Sequence, residues 1–584
     1  PSTINRQPST INRQPSTRQP STRQPSTRQP STINHQLNTN CKYIRYIYNM
    51  KKIISVRYSR CVTLAFLFIA AICNAQKTAV YSILDYGAVG NGQTINTKAI
   101  NATIEKCHAD GGGTVLVPAG IYMTGTIRLL SNINLYLEPG AVLKGSRDTS
   151  DYLALSSAIF SEGYTHYGLI IAKNAVNISI TGQGEINGNG TWFMHDISRV
   201  NDFFSLDRNA TRQGQSYMAK GAPSADGPFS YDYRPGMMFT FDHCEKIHLT
   251  DIVIKDAPEW TMRIGDCDQV NIHGITIQNN PLIPNNDGIN CTSSSNIRIS
   301  DCSIFTGDDA IAINGYEEPG REKDSVGNIS DMAGNVTVSN CILSSRSSCI
   351  RIGDGTRPLK NLLFNNIVMD ASNRGIGIFA RNNTNIENVI FSNIIIRTRI
   401  FSGNWWGKGE PIHISAVKDK ATGNGGKIRN IRFSNIIATA ETGMIIYGSP
   451  EGSIEDIYFD KVSLTIQPGK LAKSFGGNFD LQPIYPSSLG IIKHDIPALY
   501  AQYVKNLQIT EFEINWKVGL ETYFTNGIEI NHFNHIRIEG MRGGPAFKTP
   551  GLAGISLSDG TGAETENNES PNGAPNNMVR KNVR

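Results

Sequence analysis

The fold class this sequence predicts is all-β, a parallel β-helix in which the chain coils through stacked rungs of short strands. Three observations carry the prediction. First, a phrase of alternating apolar and polar residues recurs, as in Lys246–Ile252, Gln269–Ile275 and Asn296–Cys302. Its period of two is that of a strand, not a helix. Second, the lead aliphatics return at Ile247, Val270, Ile297, Val336, Leu362, Val389, Ile431, Ile457, Leu507 and Ile536, in steps that include 23, 27, 26, 27 and 26 residues. That repeat suits a rung rich in Asn, Gly and Ile. A leucine-rich repeat needs recurring leucines and a helical half-turn, and a propeller blade needs four strands. Third, the cysteines keep register: Cys244 and Cys267 each precede their lead aliphatic by three residues, while Cys302 and Cys341 follow theirs by five. Stacked neighbours of this kind lie about 4.8 Å apart. Buried thiols in a ladder are the simpler reading, and disulfides stay open.

Longer steps (297 to 336, 389 to 431, 457 to 507) mark loop insertions, and those at 316–333 and 401–426 are placed to close one end of a cleft. At the N-terminal side, Asp85–Gly92 reads as a glycine-rich turn and Thr97–Cys107 as a short amphipathic helix capping the first open edge. Gly111-Gly112-Gly113 then begins the strands. No lysine or helix follows that triplet, so it reads as a tight turn and not a phosphate cradle.

Outside the coil, residues 1–49 are mostly a low-complexity tract of Pro, Ser, Thr, Arg and Gln that cannot bury a core. From Met50 the chain has a basic start, an apolar run from Val62 to Ile72 and a small residue at Ala75, the pattern of a signal peptide over 50–75. Translation is therefore expected to start at Met50, and the mature protein to be secreted or periplasmic. The β-helix is assigned to 76–558, and the polar stretch 559–584 is expected to be a disordered tail. The whole chain carries 55 basic and 50 acidic residues, a formal charge of +5. Residues 1–60 hold 11 of the basic residues and none of the acidic ones, leaving 44 against 50, or −6, for the remainder. The charge gives no support for nucleic-acid binding, and no apolar stretch beyond the signal could span a bilayer. A monomer is expected.

Aligning the strands on one inward aliphatic makes Ile289, Ile311, Ile350, Ile376 and Ile412 equivalent on five successive rungs. Two residues earlier come Asp287, Asp309, Ser348, Arg374 and Glu410; one residue later come Asn290, Ala312, Arg351, Gly377 and His413. Asp287 and Asp309 therefore stack on adjacent rungs, with Asp308 beside them. Strict alternation would send Asp308 and Asp309 to opposite faces, so a turn at Gly307 is needed to bring both to a cleft. Crowded carboxylates cannot all ionise cheaply, and one should hold a proton near neutrality. Such a set suits glycoside cleavage. On the residues alone, a calcium site and a structural Asp/Asn turn ladder remain alternatives.

The phrases Asp85-Tyr86-Gly87-Ala88, Gly112-Gly113-Thr114-Val115 with Pro118-Ala119-Gly120, and Gly182–Gly190 resemble glycoside hydrolase family 28, the polygalacturonase family. So do Ala257-Pro258-Glu259-Trp260, Asn286-Asp287-Gly288 and Gly307-Asp308-Asp309, in order and spacing, over about 80 to 465. The resemblance implies a right-handed parallel β-helix that hydrolyses pectin with inversion, without metal or other cofactor. It implies Asp308 as the general acid, with Asp287 and Asp309 holding the attacking water. Two departures stand out. The family's Gly-His-Gly falls on Ser347-Ser348-Cys349, and its Arg-Ile-Lys falls on Gly377-Ile378-Phe379. The usual histidine and both uronate-gripping cations are therefore replaced.

Substitutes are available in the sequence. Arg351 and Arg374 are candidate substrate-binding cations, with Arg381 further on. His413 is a candidate for the missing histidine, and Trp405 and Trp406 are a candidate stacking platform for a sugar ring. A surface pairing of Arg351 with Asp354 or Glu410 is the competing reading. The function expected is hydrolysis of a pectin-type polysaccharide, with the replaced cations pointing to a branched or modified one. A β-helix polysaccharide lyase using calcium and a non-catalytic glycan-binding solenoid are the rivals.

Overall fold

The computed structural model describes residues 79–155, 165–195, 226–316, 333–403, 405–486, 490–571, 573 and 576–584. The expected leader and low-complexity tract lie outside these residues, as does most of the 316–333 insertion. All described residues fall within one compact unit.

Alternation makes the strands, and in-register pairing makes the helix. One rung consists of Phe239–Asp242, Glu245–Thr250 and Val253–Lys255; the next consists of Met262–Gly265, Asp268–His273 and Thr276–Gln278. Each strand pairs parallel with its counterpart one rung on, and 34 strands belong to the continuous sheet among the described residues. In the C-terminal half the second and third strands fuse into long bent ones, Leu359–Ser372, Asn385–Thr398, Lys427–Ala440 and Ser453–Ile466. All ten lead aliphatics pair directly, from Ile247↔Val270 through Leu507↔Ile536. The cleft-side alignment holds as well: Ile289↔Ile311, Ile311↔Ile350, Ile350↔Ile376 and Ile376↔Ile412.

Asparagine makes the corners. Asn296, Asn335, Asn361, Asn388 and Asn430 all hold left-handed φ values, between 53° and 60°. This is a conformation their short polar side chains tolerate. Their amides form a ladder, Asn335 to Asn296 at 3.1 Å, Asn361 to Asn335 at 3.0 Å, Asn388 to Asn361 at 3.2 Å and Asn430 to Asn388 at 2.8 Å. This asparagine ladder does not include the aspartates of the Asn286-Asp287-Gly288 and Gly307-Asp308-Asp309 motifs.

Inside the coil, identical side chains stack. Phe364, Phe391, Phe433 and Phe459 form a continuous column with centroid spacings of 4.7, 5.1 and 4.9 Å and nearly parallel rings. The seven described cysteines are buried free thiols, and Cys267 Sγ accepts the Cys244 amide at 3.4 Å. The helix Thr97–Ala109 buries Ile100, Ile104 and Cys107 against the first rungs. Among the described residues, no helix is long and apolar enough to cross a membrane.

The C-terminal end corrects the sequence reading. Residues 559–566 continue the strand Ile555–Glu566, and Met578–Val583 pairs parallel with it. Most of these side chains are exposed, so composition reads as tail. The strands persist because a solenoid's last rung offers an unpaired backbone edge that any non-proline sequence can join.

Removing one ring from the phenylalanine column should leave a void that flanking rungs cannot fill. Phe433→Ala is expected to cost about 3–5 kcal/mol, read as a lower urea midpoint.

Candidate active site

The two aspartate motifs are tied to each other by one asparagine. Asn286, fully buried, accepts the Gly307 amide on its Oδ1 at 2.6 Å and donates from Nδ2 to the Asn280 carbonyl at 2.8 Å. Asn279 in turn donates to the Asn286 carbonyl at 2.9 Å. The turn carrying Asp308 is thereby fixed to the turn carrying Asp287. Gly307 serves by close approach: a Cβ there would sit 2.4 Å from the Ile283 carbonyl oxygen and 2.6 Å from Asn286 Oδ1. Gly288 is equally constrained, with the Ala310 carbonyl oxygen 2.3 Å from the place of a Cβ. Asp308 and Asp309 consequently face the same cleft, although they are sequence neighbours.

That cleft, about 350 Å³, is lined by Asp287, Asp308, Asp309, Ser347, Arg351 and Arg374, with Trp260 and Trp406 among its apolar walls. Asp309 receives the Ser348 amide on Oδ1 at 2.9 Å, and its Oδ2 lies 3.4 Å from Arg351 Nε. Asp308 Oδ1 accepts the Asp309 amide at 2.9 Å. Its carbonyl accepts the Ser345 hydroxyl at 2.7 Å, which pins the turn from below. Asp287 Oδ2 accepts from Asn290 Nδ2 at 3.2 Å.

Burial first, and the Asp309 charge second, push the Asp308 carboxyl up to about 7. Burial likewise raises Asp287 well above the usual carboxyl range, with the charges of Asp308, Asp309 and Glu259 adding to it. Burial, reinforced by neighbouring charge, therefore disposes Asp308 and Asp287 to hold protons near neutral pH.

The cation side differs from the sequence reading in detail. Arg351 is in the cleft, where it pairs with Asp309 and with Asp354, whose Oδ2 also accepts the Tyr316 hydroxyl at 3.1 Å. Its pairing with Asp354 is real but is not a surface pair. Arg374 also lines the cleft. Its Nε stands 3.7 Å from Glu410, and its Nε and Nη2 make no hydrogen bond. Arg381 is buried behind them and spends its donors on the Pro483, Ala380 and Ser415 carbonyls. The Phe379 ring, where the family carries a cation, sits among all three guanidinium groups, 5.8 Å from Arg351, 5.0 Å from Arg374 and 5.2 Å from Arg381.

Two sequence candidates do not reach the cleft. His413 is fully buried, because the Phe379 ring meets it edge-on at 5.2 Å. Burial, with Arg374 and Arg381 nearby, holds its imidazole neutral, and it does not replace the missing histidine at the cleft surface. Trp405 is 6% exposed, with its indole N–H donating to the Asp226 carbonyl at 3.0 Å, so only Trp406 of the pair lines the cleft. Ser348 is buried too, contributing its amide rather than its side chain, and Ser347 takes the lining position.

Tyr316, Asp419 and Lys420 lie in the insertions expected to close one end of the cleft, whereas sequence reasoning missed Gln482 and Pro483. The long step from 457 to 507 announced an insertion, but not that it would fold back. Asp480 holds it there, accepting the Gly407 amide at 2.6 Å and the Gln482 amide at 3.0 Å.

Among the described residues, Asp242, His243 and Asp266 offer ligand atoms close enough together for a metal ion. Arg357 at 2.8 Å from Asp266 and Arg263 at 3.6 Å from Asp242 already meet that charge. None of the three lines the aspartate cleft.

Comparison with known proteins fits this arrangement. The family model for glycosyl hydrolases family 28 matches residues 156–474. The chain belongs to this family. Its relatives include a probable polygalacturonase of Vitis vinifera, 31% identical over 43% of this chain and 47% of that protein. An exo-poly-alpha-D-galacturonosidase of Dickeya chrysanthemi is 27% identical over 40% of this chain and 41% of its own length. The chain thus spans less than half the length of these two relatives. A family 28 exopolygalacturonase from Yersinia enterocolitica matches in structure with a TM-score of 0.55 at 18% identity, over 80% of this chain and 79% of that one, a likeness of fold. The family fold is the right-handed parallel β-helix expected from the sequence.

The raised Asp308 carboxyl has a consequence for stability. A group whose folded pKa lies above its unfolded value of 3.8 stabilises the fold below about pH 4, and that contribution is lost as pH rises through about 7. Asp308→Asn keeps the shape without the charge. Its thermal midpoint should exceed the wild type's by a margin that grows between about pH 4 and about pH 7. An unchanging difference would contradict the buried-carboxyl account.

Proposed function

We propose that this protein is an exported, monomeric hydrolase that cleaves glycosidic bonds in a pectin-type polysaccharide with inversion. The observation that carries the reading is the convergence of three carboxylates from adjacent rungs in one cleft, at least one of them holding a proton near neutrality. Asp308 passes its proton to the glycosidic oxygen as the C1–O bond breaks. A water attacks C1 from the opposite face, and its proton goes to the Asp287–Asp309 side of the trio. Arg351 and the Ser348 amide both address Asp309 and hold it in place on that side.

The substrate reading rests on the cations and the apolar walls. Arg351 and Arg374 both line the cleft, and they are the guanidinium groups placed to meet a uronate carboxylate there. Trp260 and Trp406 offer flat apolar surface to a sugar face. The names of the relatives, which describe action on polygalacturonate, favour the same class. Export is inferred from the Met50–Ala75 pattern.

Asp308→Asn should reduce cleavage of homogalacturonan or rhamnogalacturonan by about 100- to 10,000-fold, the usual worth of a general acid. In the wild type, NMR of the first-formed product should find the anomer opposite to the bond cleaved. Retention, or an ultraviolet-absorbing unsaturated product, would overturn the mechanism. Because the acid must hold its proton, kcat/KM should fall as pH rises through about 7.

A further inference from the structure

The turn column that ends in the catalytic aspartates begins well before them. Lys144, Asn187, Lys255, Gln278 and Phe305 pair in one row across five successive rungs. The chain leaves each of these strands at the same corner. Asp308 comes three residues after Phe305, and Arg147 comes three after Lys144; Trp260 comes five after Lys255, and Trp192 comes five after Asn187. Trp192 therefore follows, one rung earlier and at the same residue count, the strand end that Trp260 follows in the cleft wall. The two turns touch: a Cβ on Gly190 would sit 2.6 Å from the Ala257 carbonyl carbon and the Pro258 nitrogen.

Trp192 is held in place yet left open. Asp256 accepts the Thr191 hydroxyl at 2.6 Å and the Thr191 amide at 3.1 Å, and its carbonyl accepts the Gly190 amide at 2.7 Å. Asn189 donates to the Gly145 carbonyl at 3.2 Å, and Phe193 is buried beneath. Despite this bracing, Trp192 is 56% exposed, far more than a packing tryptophan. The Arg147 guanidinium lies 4.0 Å from the centre of its ring, and Arg147 makes no ion pair with a described residue. The guanidinium thus stacks over the exposed indole, and its fork of N–H donors has no acidic partner among the described residues.

We infer that Trp192 and Arg147 form a distal subsite for an acidic sugar ring of the same polysaccharide chain that enters the catalytic cleft. The sugar ring lies against the part of the indole that Arg147 leaves exposed, and the uronate carboxylate takes the Arg147 fork. Three rung steps of about 4.8 Å put this station about 14 Å along the axis from the Asp308 turn. The subsite therefore serves chains that extend several sugars beyond the bond being cut. The occupant is an acidic glycan because the column is continuous with the cleft and its outermost group is a cation. This inference rests on the pectic-substrate reading above.

The test uses the full chain and galacturonate oligomers of increasing length. Trp192→Ala and Arg147→Ala should each lower the preference in kcat/KM for long over short oligomers about tenfold, the size of one aromatic or charge-assisted contact. Trp192→Phe should retain most of the preference, and added salt should erode the wild type's preference but not that of Arg147→Ala. In the Asp308→Asn background, oligomer affinity should follow the same length dependence without turnover. Equal loss at every length, or no loss, overturns the subsite while leaving the hydrolase reading intact. A wild type that cleaves and binds no uronate oligomer overturns the substrate reading itself. A change in molecular mass on Trp192→Ala with length preference preserved would make this face a contact between copies and overturn the subsite.

Discussion

Parallel backbone pairing between successive rungs, at a step of about 4.8 Å, is the constraint on which everything else in this molecule depends. Because each strand pairs in register with the one before it, a residue's position along the strand fixes its face, and its position in the stack fixes its distance from the site. That turns a one-dimensional repeat into columns: phenylalanines inside, asparagines at a corner, charged residues along one turn. A slip of one residue would exchange inside for outside along a whole strand. The buried aliphatics on every rung are what forbid it.

The same stacking creates the chemistry. Carboxyls on neighbouring rungs are brought closer together than ions prefer, and burial removes the water that would screen them. Burial and mutual charge displace the Asp308 and Asp287 carboxyls upward. The arrangement is tolerable because it is embedded in counter-charge and hydrogen bonds: Arg351 against Asp309, the Ser348 amide, and the Asn286 bridge between the two turns. Phe379 contributes in another way, its ring face meeting the guanidinium groups of Arg351, Arg374 and Arg381 in place of a lysine.

Two losses in the sequence therefore have different structural meanings. Ser348 in the histidine position leaves a buried hydroxyl and keeps only the amide, so that function has no side-chain replacement there. Phe379 in the cation position is accompanied by arginines from neighbouring rungs, so positive charge has moved rather than vanished. His413 was an attractive substitute on register grounds. Register, however, says which face a side chain leaves by, not what lies over it, and here Phe379 does.

The sequence by itself determined the rungs, the inward columns and the adjacency of Asp287 with Asp309, because period-two alternation and a repeat near 26 residues are local properties that backbone pairing converts directly into space. It also showed that insertions exist after 389 and 457. Only the tertiary structure decided how they fold: that Asp480 joins the two insertions into a cleft wall, that Trp406 faces the cleft while Trp405 is tied to Asp226, and that residues 559–566 and 578–583 add strands instead of a tail. The physical reason is the same in each case. These outcomes rest on contacts between segments distant in sequence, or on a backbone edge that accepts almost any residue, and neither leaves a periodic mark on the chain.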